Sequence, residues 1–162
     1  MVTFRPARTT DPAAAALLAQ YFDARAEGFP VEQGPYRRPV PVEADFVEPH
    51  GVLLIVEGEN LAGEPADVGC GGIRTVPDGP LGPRRELKHL WVQPHTRRLG
   101  YGRALVDELE RRARAMGAAE LVLDTHTAQA AAGALYARLG FVSIPAYNDN
   151  PNATVWLGKP LD

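Results

Sequence analysis

The segment from residue 86 to residue 125 constrains the fold more strongly than any other part of the sequence. A strand-like run over residues 86–92 is followed by a glycine-containing turn, a helical pattern over about 102–116, and a second strand-like run over 121–125. The apolar side chains of the helical pattern recur three or four residues apart: Leu105, Leu109, Ala113 and Met116. This order predicts a βαβ unit, in which the two strands run parallel.

The elements on either side of this unit are predicted from their own patterns. Asp11-Pro12 places a capping residue and a first-turn proline before a helix that ends near Gly28. Five prolines interrupt residues 29–51, which we expect to be mostly irregular. Further strands are predicted at 2–7, 52–57, 68–76, 141–144 and 154–157, with a turn at 77–83 and a last helix at 128–139. The predicted class is α+β: a mixed, mostly antiparallel sheet with one parallel pair, flanked by helices in a single domain over residues 1–162.

Charge and composition limit the classes of function. The chain has 17 basic and 20 acidic residues, so no overall field attracts nucleic acid or a membrane surface. No apolar run reaches the roughly 18 residues of a membrane-spanning helix, and residues 1–11 lack the apolar core of a signal peptide. The single cysteine cannot form an internal disulfide. We therefore expect a cytoplasmic protein that has neither nucleic acid nor a membrane as a partner.

The turn at residues 97–103 has the features of an anion site. Consecutive backbone N–H groups reach a predicted helix N-terminus there, where free donors and the helix dipole favour a phosphate. Gly100 and Gly102 let a ligand approach the backbone closely. Leu105 stands where a dinucleotide-binding loop needs its third glycine, and the Gly-Lys-Ser/Thr of a nucleotide-triphosphate loop is absent. Spacing alone leaves a second interpretation open, a tight strand-to-helix connection with solvated arginines.

The six residues Arg97-Arg98-Leu99-Gly100-Tyr101-Gly102 resemble the Arg/Gln-x-x-Gly-x-Gly/Ala signature of the GNAT superfamily of N-acetyltransferases. The strand before them and the Leu-Tyr-x-x-x-Gly-Phe sequence that ends at Phe141 are also similar to the family. The resemblance implies the GNAT fold, in which the two parallel strands splay apart. It also implies acetyl-CoA as the acyl donor.

The resemblance further implies which residues contact the cosubstrate. Backbone amides of Leu99, Gly100, Tyr101, Gly102 and Arg103, beside Arg97 and Arg98, would hold the pyrophosphate. Leu90, Trp91 and Val92 would pair with the pantetheine arm and place an amide near the developing oxyanion. Gln129 stands where the family often has an asparagine at the start of the later helix.

Tyr136 is predicted to be catalytic. It occupies the position at which the family's tyrosine donates a proton to the departing thiolate, and the ordinary tyrosine pKa of about 10 suits that step. The alternative is a core aromatic residue at helical spacing with Leu135 and Leu139.

Glu86 is the second predicted catalytic residue. It stands eleven residues before Arg97, the interval at which histone-acetylating members of the family place a basic glutamate. Strict alternation puts Glu86 on one face with Lys88, Leu90 and Val92. Two alternatives stay open: an exposed strand-end carboxylate paired with Arg84 or Arg85, and a water chain acting as the base.

The acceptor site is predicted from aromatic and polar residues near irregular segments. Phe29, Tyr36 and Tyr147 could line a pocket or simply anchor loops, and His126 could face the acceptor amine or be a polar strand-end residue. The histidines have no metal-ligand spacing, so no metal is expected. Cys70 reads as a small buried hydrophobe.

Together these features predict transfer of the acetyl group of acetyl-CoA to a primary amine, by direct attack through a tetrahedral intermediate. The predicted acceptor is a small metabolite, an amino-acid-like compound or an antibiotic. Acetylation of a protein or peptide amine and a non-catalytic acyl-CoA sensor are the alternatives. From the family we also expect a homodimer.

Overall fold

The computed structural model describes residues 2–162, and within them it places seven strands and three α-helices. The strands are β1 (Thr3–Pro6), β2 (Val52–Glu59), β3 (Pro65–Gly79), β4 (Gly82–Val92), β5 (Glu120–Thr125), β6 (Val142–Ser143) and β7 (Val155–Pro160). The helices are α1 (Pro12–Glu27), α2 (Tyr101–Ala115) and α3 (Ala130–Arg138). Short 3-10 helices lie at Val31–Gln33, Glu43–Phe46 and Pro94–Thr96.

The strands form one sheet in the order β1-β2-β3-β4-β5-β7-β6. Every neighbouring pair is antiparallel except β4 and β5, which are joined through α2 and run parallel. The predicted fold class is therefore confirmed. None of the helices within residues 2–162 is long and apolar enough to cross a membrane.

Each face of the sheet carries its own hydrophobic core. One core packs α2 and α3 against the sheet and includes Leu105, Leu109, Leu54 and Leu123. The other packs α1, through Leu17, Leu18 and Phe22, against alternate residues of β2 and β3. The Asp11 carboxylate caps α1 by accepting a hydrogen bond from the Ala13 N–H at 3.2 Å.

The turn predicted over residues 77–83 is wrong in its length. β3 continues to Gly79 and β4 begins at Gly82, so two residues connect the strands. Pro77 lies where the β3/β4 register shifts, and the Arg84 Nε donates to the Pro77 carbonyl at 2.9 Å. A proline is compatible with a strand at such an irregularity, because a ladder hydrogen bond is already missing there.

A β-bulge in β4 overturns the single face predicted for Glu86, Lys88, Leu90 and Val92. Gly72 pairs with Lys88 but Cys70 pairs with Trp91, so β4 holds one extra residue, and His89 has a φ of 58°. Beyond the bulge Leu90 packs on the α2 core, whereas Trp91 packs on the α1 core. Glu86 precedes the bulge and faces the α1 side, where Arg74 binds it.

Candidate active site

The two parallel strands separate where the candidate site begins. In the described chain, the pairing of β4 with β5 covers only Arg84–Glu86 and Glu120–Val122, although both strands continue to Val92 and Thr125. A pocket of about 500 Å³ opens beyond the last pair. The predicted splay of the strands is confirmed.

Seven segments form the wall of this pocket. From the sheet come Arg74 of β3, residues 87–90 of β4 and 123–125 of β5. The helices contribute Tyr21, Phe22 and Arg25 of α1 and Ala132 and Tyr136 of α3. Loop residues 36–41 and 148–152 close the remaining sides. The wall therefore joins the side predicted for the acceptor, where α1 and the loops lie, to the side predicted for the acyl donor.

The turn before α2 has an open backbone. Arg98 has a φ of 69° and Gly100 a φ of 82°, and α2 begins at the next residue without a side-chain cap. A Cβ on Gly100 would meet nothing within 4 Å. The first amides of α2 lack carbonyl partners within the helix, so they can donate to an anion that enters this space. The residues present therefore fit a pyrophosphate.

The predicted donor-binding side chains have several different environments. The Arg97 guanidinium lies over the Trp91 ring at 5.3 Å, and Leu99 is 62% exposed. The Tyr101 ring packs close to Gly58. The backbone N–H of Tyr101 lies in the first turn of α2, where it has no carbonyl partner within the helix and can donate to a ligand. Gln129 precedes α3 and lines the pocket.

Tyr136 is buried, yet it lines the pocket. Its ring packs edge-on against Phe141 at 5.7 Å. Burial raises the pKa of the Tyr136 hydroxyl above its ordinary value, and the nearby Tyr21 and Asp124 add to this effect while Arg25 opposes it. The hydroxyl therefore stays protonated near neutral pH and can act as a proton donor.

Glu86 is fully buried, so the interpretation of an exposed strand-end carboxylate is wrong. Its Oε1 accepts a hydrogen bond from the Arg74 Nε at 2.9 Å, and its Oε2 accepts one from the Tyr147 hydroxyl at 2.6 Å. The Lys88 Nζ lies 3.8 Å from Oε1. Glu86 and Tyr147 are both absent from the pocket wall, so a role of Glu86 as base requires a neighbour that lines the pocket, such as Lys88, to carry the proton.

Unlike the carboxylate of Glu86, that of Asp124 lies in the pocket wall, and it was not predicted from the sequence. Its Oδ1 lies 3.3 Å from the Lys88 Nζ, and its Oδ2 accepts hydrogen bonds from Asn148 at 2.8 Å and Asn150 at 3.2 Å. Burial acts to raise the pKa of Asp124, but the Lys88 charge and the hydrogen bonds outweigh it and lower the pKa. Ligands often bind beyond the carboxyl ends of parallel strands, so the position of this acidic residue near the end of β5 could have indicated a site residue from the sequence.

His89 is a second pocket residue that the sequence did not reveal. Its ring lies 5.2–5.6 Å from the rings of Tyr21, Phe22 and Phe46. Burial lowers the pKa of His89 to about 3, and the charges of Lys88 and Arg74 act in the same direction. The imidazole is therefore neutral at pH 7.

Cys70 lies buried beside the same strand. Its thiol contacts the His89 carbonyl at 3.5 Å, and burial raises the pKa of the thiol to about 12. It packs as the small hydrophobe that the sequence predicts.

The four predicted acceptor-site residues do not all meet. Tyr36 lines the pocket, and Phe29 packs between Tyr36 at 5.5 Å and His126 at 5.4 Å. His126 lies outside the pocket wall, with Nε2 2.7 Å from Gln33 Oε1 and Nδ1 accepting from the Ala128 N–H. Tyr147 points to Glu86. A contact of Phe29, His126 or Tyr147 with substrate stays a prediction.

The chain belongs to the acetyltransferase (GNAT) family, whose model matches residues 17–141. Among curated proteins it resembles the IAA acetyltransferase of Azospirillum brasilense, with 37% identity over 97 residues that cover 58% of this chain and 61% of that protein. It also resembles human N-acetyltransferase 8, with 43% identity over 75 residues that cover 46% of this chain and 33% of that protein. The chain thus spans about three fifths or less of the length of these curated relatives.

Solved structures show the same fold over the whole chain. A Klebsiella pneumoniae protein, predicted to be an acyl-CoA N-acyltransferase, superposes with a TM-score of 0.72 at 29% identity and covers 100% of this chain and 99% of its own. A GNAT-family acetyltransferase of Staphylococcus aureus superposes with a TM-score of 0.73 at 14% identity, with full coverage of both chains.

Proposed function

We propose that this protein transfers the acetyl group of acetyl-CoA to the primary amine of a small molecule. One observation carries the proposal: the pocket between the separated strands β4 and β5 reaches Tyr136 on one side and the charged α1 side on the other. Family membership supports the reaction class, and the open turn at Gly100 supports the donor.

Binding of the donor is assigned to backbone groups of this chain. The amides of residues 100–103 hold the pyrophosphate at the start of α2, with Arg97 and Arg98 beside it. The Leu99 N–H, which the sequence also predicted as a donor, is already bound to the Thr96 carbonyl at 3.3 Å. The pairing of β4 with β5 ends at Glu86, which leaves backbone groups of residues 87–92 free on the side of β5. We assign the Leu90 N–H to the thioester oxygen, where an oriented donor stabilises the developing oxyanion.

Acetyl-CoA supplies a carbonyl carbon activated by its thioester bond. The pocket orients the amine so that its nitrogen lone pair forms the new C–N bond at that carbon. The C–S bond then breaks, and the Tyr136 hydroxyl gives its proton to the leaving sulfur. Asp124 orients the amine, the proton that the amine loses passes to water, and a proton returns from water to the Tyr136 phenolate before the next turnover.

The contact between two loops that line the pocket favours a small acceptor over a peptide. Asn152 joins these two loops, because its Oδ1 accepts from the Arg37 N–H at 3.1 Å and its Nδ2 donates to the Arg37 carbonyl at 2.7 Å. Side-chain bonds of this kind hold the loops together across the site, whereas an extended peptide needs an open groove.

The first test is a titration with acetyl-CoA followed by melting temperature. A ligand at about a hundred times its Kd stabilises the fold by roughly 2.7 kcal/mol, which corresponds to roughly 5–10 °C for a chain of this size. Absence of a shift at saturating acetyl-CoA would refute the proposal. The second test is thiol release from acetyl-CoA with a panel of small amines and peptides. A shift without thiol release for any amine would favour the sensor, and release with peptides alone would favour protein acetylation.

A further inference from the structure

We infer that the acceptor carries a carboxylate as well as its amine, and that Arg25 of α1 binds this carboxylate. The inference rests on the proposed function and narrows it to amino acids or similar zwitterions. The supporting observation is that Arg25, unlike the other sheltered cations in the pocket, has no anionic partner in the described part of the chain.

Arg25 lines the pocket with most of its hydrogen-bonding capacity unused. Its Nε is buried without a hydrogen-bond partner, and one terminal nitrogen donates to the Tyr21 hydroxyl at a long 3.4 Å. The guanidinium lies over the Tyr36 ring at 5.6 Å. Within residues 2–162 no carboxylate lies within 4 Å of it.

The other buried or half-buried cations of the pocket already have anionic partners. Arg74 contacts Glu86 at 2.9 Å and Asp45 at 3.5 Å, and Lys88 contacts Asp124 at 3.3 Å. Arg38 contacts Asp23 at 2.8 Å on the rim. Arg37 has no ion pair among the described residues, but it is exposed and water can satisfy it. Arg25 is therefore the sheltered positive charge that a ligand would neutralise.

A carboxylate is the group that fits these free donors. The terminal N–H groups of Arg25 that have no acceptor within residues 2–162 can donate to a ligand oxygen. The guanidinium presents neighbouring N–H groups in a plane that matches the two oxygens of a carboxylate, and an aromatic ring below it holds that plane. The terminal N–H groups, which have one long hydrogen bond between them, are thus the donors available to a bidentate anion.

The amine end of the same acceptor lies toward Asp124. Asp124 and Arg25 both line the pocket, and both charges influence the pKa of the Tyr136 hydroxyl, in opposite directions. Asp124 is already paired with Lys88, so it can orient the amine by a hydrogen bond, whereas Arg25 offers the ligand a positive charge without an ionic partner in residues 2–162. A ligand with an amine and a carboxylate matches this arrangement.

The test compares L-amino acids with their primary carboxamides, which keep the amine and lose the negative charge. Thiol release is measured with each pair, and kcat/KM is expressed per concentration of unprotonated amine, since the two amines differ in basicity. Hydrogen bonds to a charged group predict that wild-type protein prefers the carboxylate by roughly tenfold to a hundredfold. In Arg25→Met the ratio should fall to about one through KM, while Arg25→Lys should restore part of it.

Two controls separate recognition from structure. Arg8→Met removes a side chain that is 72% exposed outside the pocket, and it should leave the ratio unchanged. The Kd of acetyl-CoA should be the same in Arg25→Met and in wild type. A purely structural Arg25, which only supports Tyr21 and Tyr36, would lower kcat/KM for both members of each pair equally, and that result would overturn the inference.

A binding measurement decides the case in which no amino acid of the panel is turned over. N-acetyl-L-amino acids and their carboxamides are titrated against the protein with CoA present, and melting temperature is followed. A larger shift with the carboxylate, lost in Arg25→Met, would support the inference, and equal or absent shifts would overturn it. Failure of acetyl-CoA itself to bind would instead refute the proposed function.

Discussion

The Tyr147 hydroxyl donates a hydrogen bond to the Glu86 Oε2 at 2.6 Å and so ties the loop between β6 and β7 to the middle of the sheet. Hydrogen bonds from Asn148 and Asn150 to Asp124 attach the same loop to β5, and Asn152 attaches it to Arg37. The loop that lines the pocket is therefore positioned by partly buried polar contacts. Glu86 contributes to the site through that loop and through Arg74.

Glu86→Gln should lower the free energy of unfolding by about 1–3 kcal/mol, because it removes the buried anion that Arg74 and Tyr147 bind. If Glu86 positions the loop, KM for the amine should rise and the acidic limb of the pH profile of kcat/KM should remain. The measurements are urea unfolding and thiol release between pH 5 and 9.

Tyr147→Phe is the matched variant for this interpretation. It breaks the bond to Glu86 from the loop side and should raise KM for the amine in the same way, without changing the Kd of acetyl-CoA. Loss of the acidic limb in Glu86→Gln alone would show instead that Glu86 is the base.

Tyr136→Phe should keep acetyl-CoA binding and lower kcat by roughly a hundredfold or more, the usual contribution of a general acid. The ring that packs on Phe141 is retained, so the melting temperature should change little. Because burial raises the pKa of Tyr136, no decline of the wild-type rate from this hydroxyl is expected below about pH 10. An unchanged kcat in the variant would remove Tyr136 from the mechanism.

The sequence predicted the parts of the fold that local patterns determine. The βαβ unit and the open turn at Gly100 follow from periodicity and glycine placement within about forty residues, and the structure places them as expected. The bulge at His89 could not be predicted in this way, since one extra residue leaves the pattern of a strand nearly unchanged. It reverses the face of Leu90 relative to Glu86.

The pocket chemistry depends on residues that are distant in sequence. The partners of Glu86 lie 12 and 61 positions away, so its complete burial is a tertiary property. Arg25 looks in the sequence like an ordinary basic residue in the last turn of a helix, where the helix dipole alone explains it. Its missing carboxylate partner becomes apparent only when the pocket is assembled.

Gly100→Ala should weaken acetyl-CoA binding by tenfold or more and also lower stability. A left-handed φ of 82° costs an alanine roughly 1–2 kcal/mol, and the new Cβ enters the space assigned to the pyrophosphate. Gly117→Ala is the control, because Gly117 has a φ of 86° and equally open surroundings but follows the other end of α2. Both variants should melt lower than wild type, and equal Kd values for acetyl-CoA in the two would contradict the assigned site.

His89 should make the folded protein sensitive to acid. Its pKa is lowered to about 3 by burial and by the charges of Lys88 and Arg74, whereas the unfolded value is near 6.5. Above pH 6.5 the imidazole is neutral in both states, so it has no effect on stability there. Between pH 6.5 and about 3 the unfolded state binds a proton that the folded state does not, so stability falls by roughly 1.4 kcal/mol per pH unit from this group.

His89→Asn tests this linkage, because asparagine does not titrate and tolerates the left-handed backbone of this position. The variant loses ring packing and should be less stable at every pH, so the slope is the quantity to compare. Urea unfolding between pH 7 and 4.5 should give a smaller loss of stability per pH unit in His89→Asn than in wild type. An unchanged slope in His89→Asn would mean that His89 accepts its proton without unfolding.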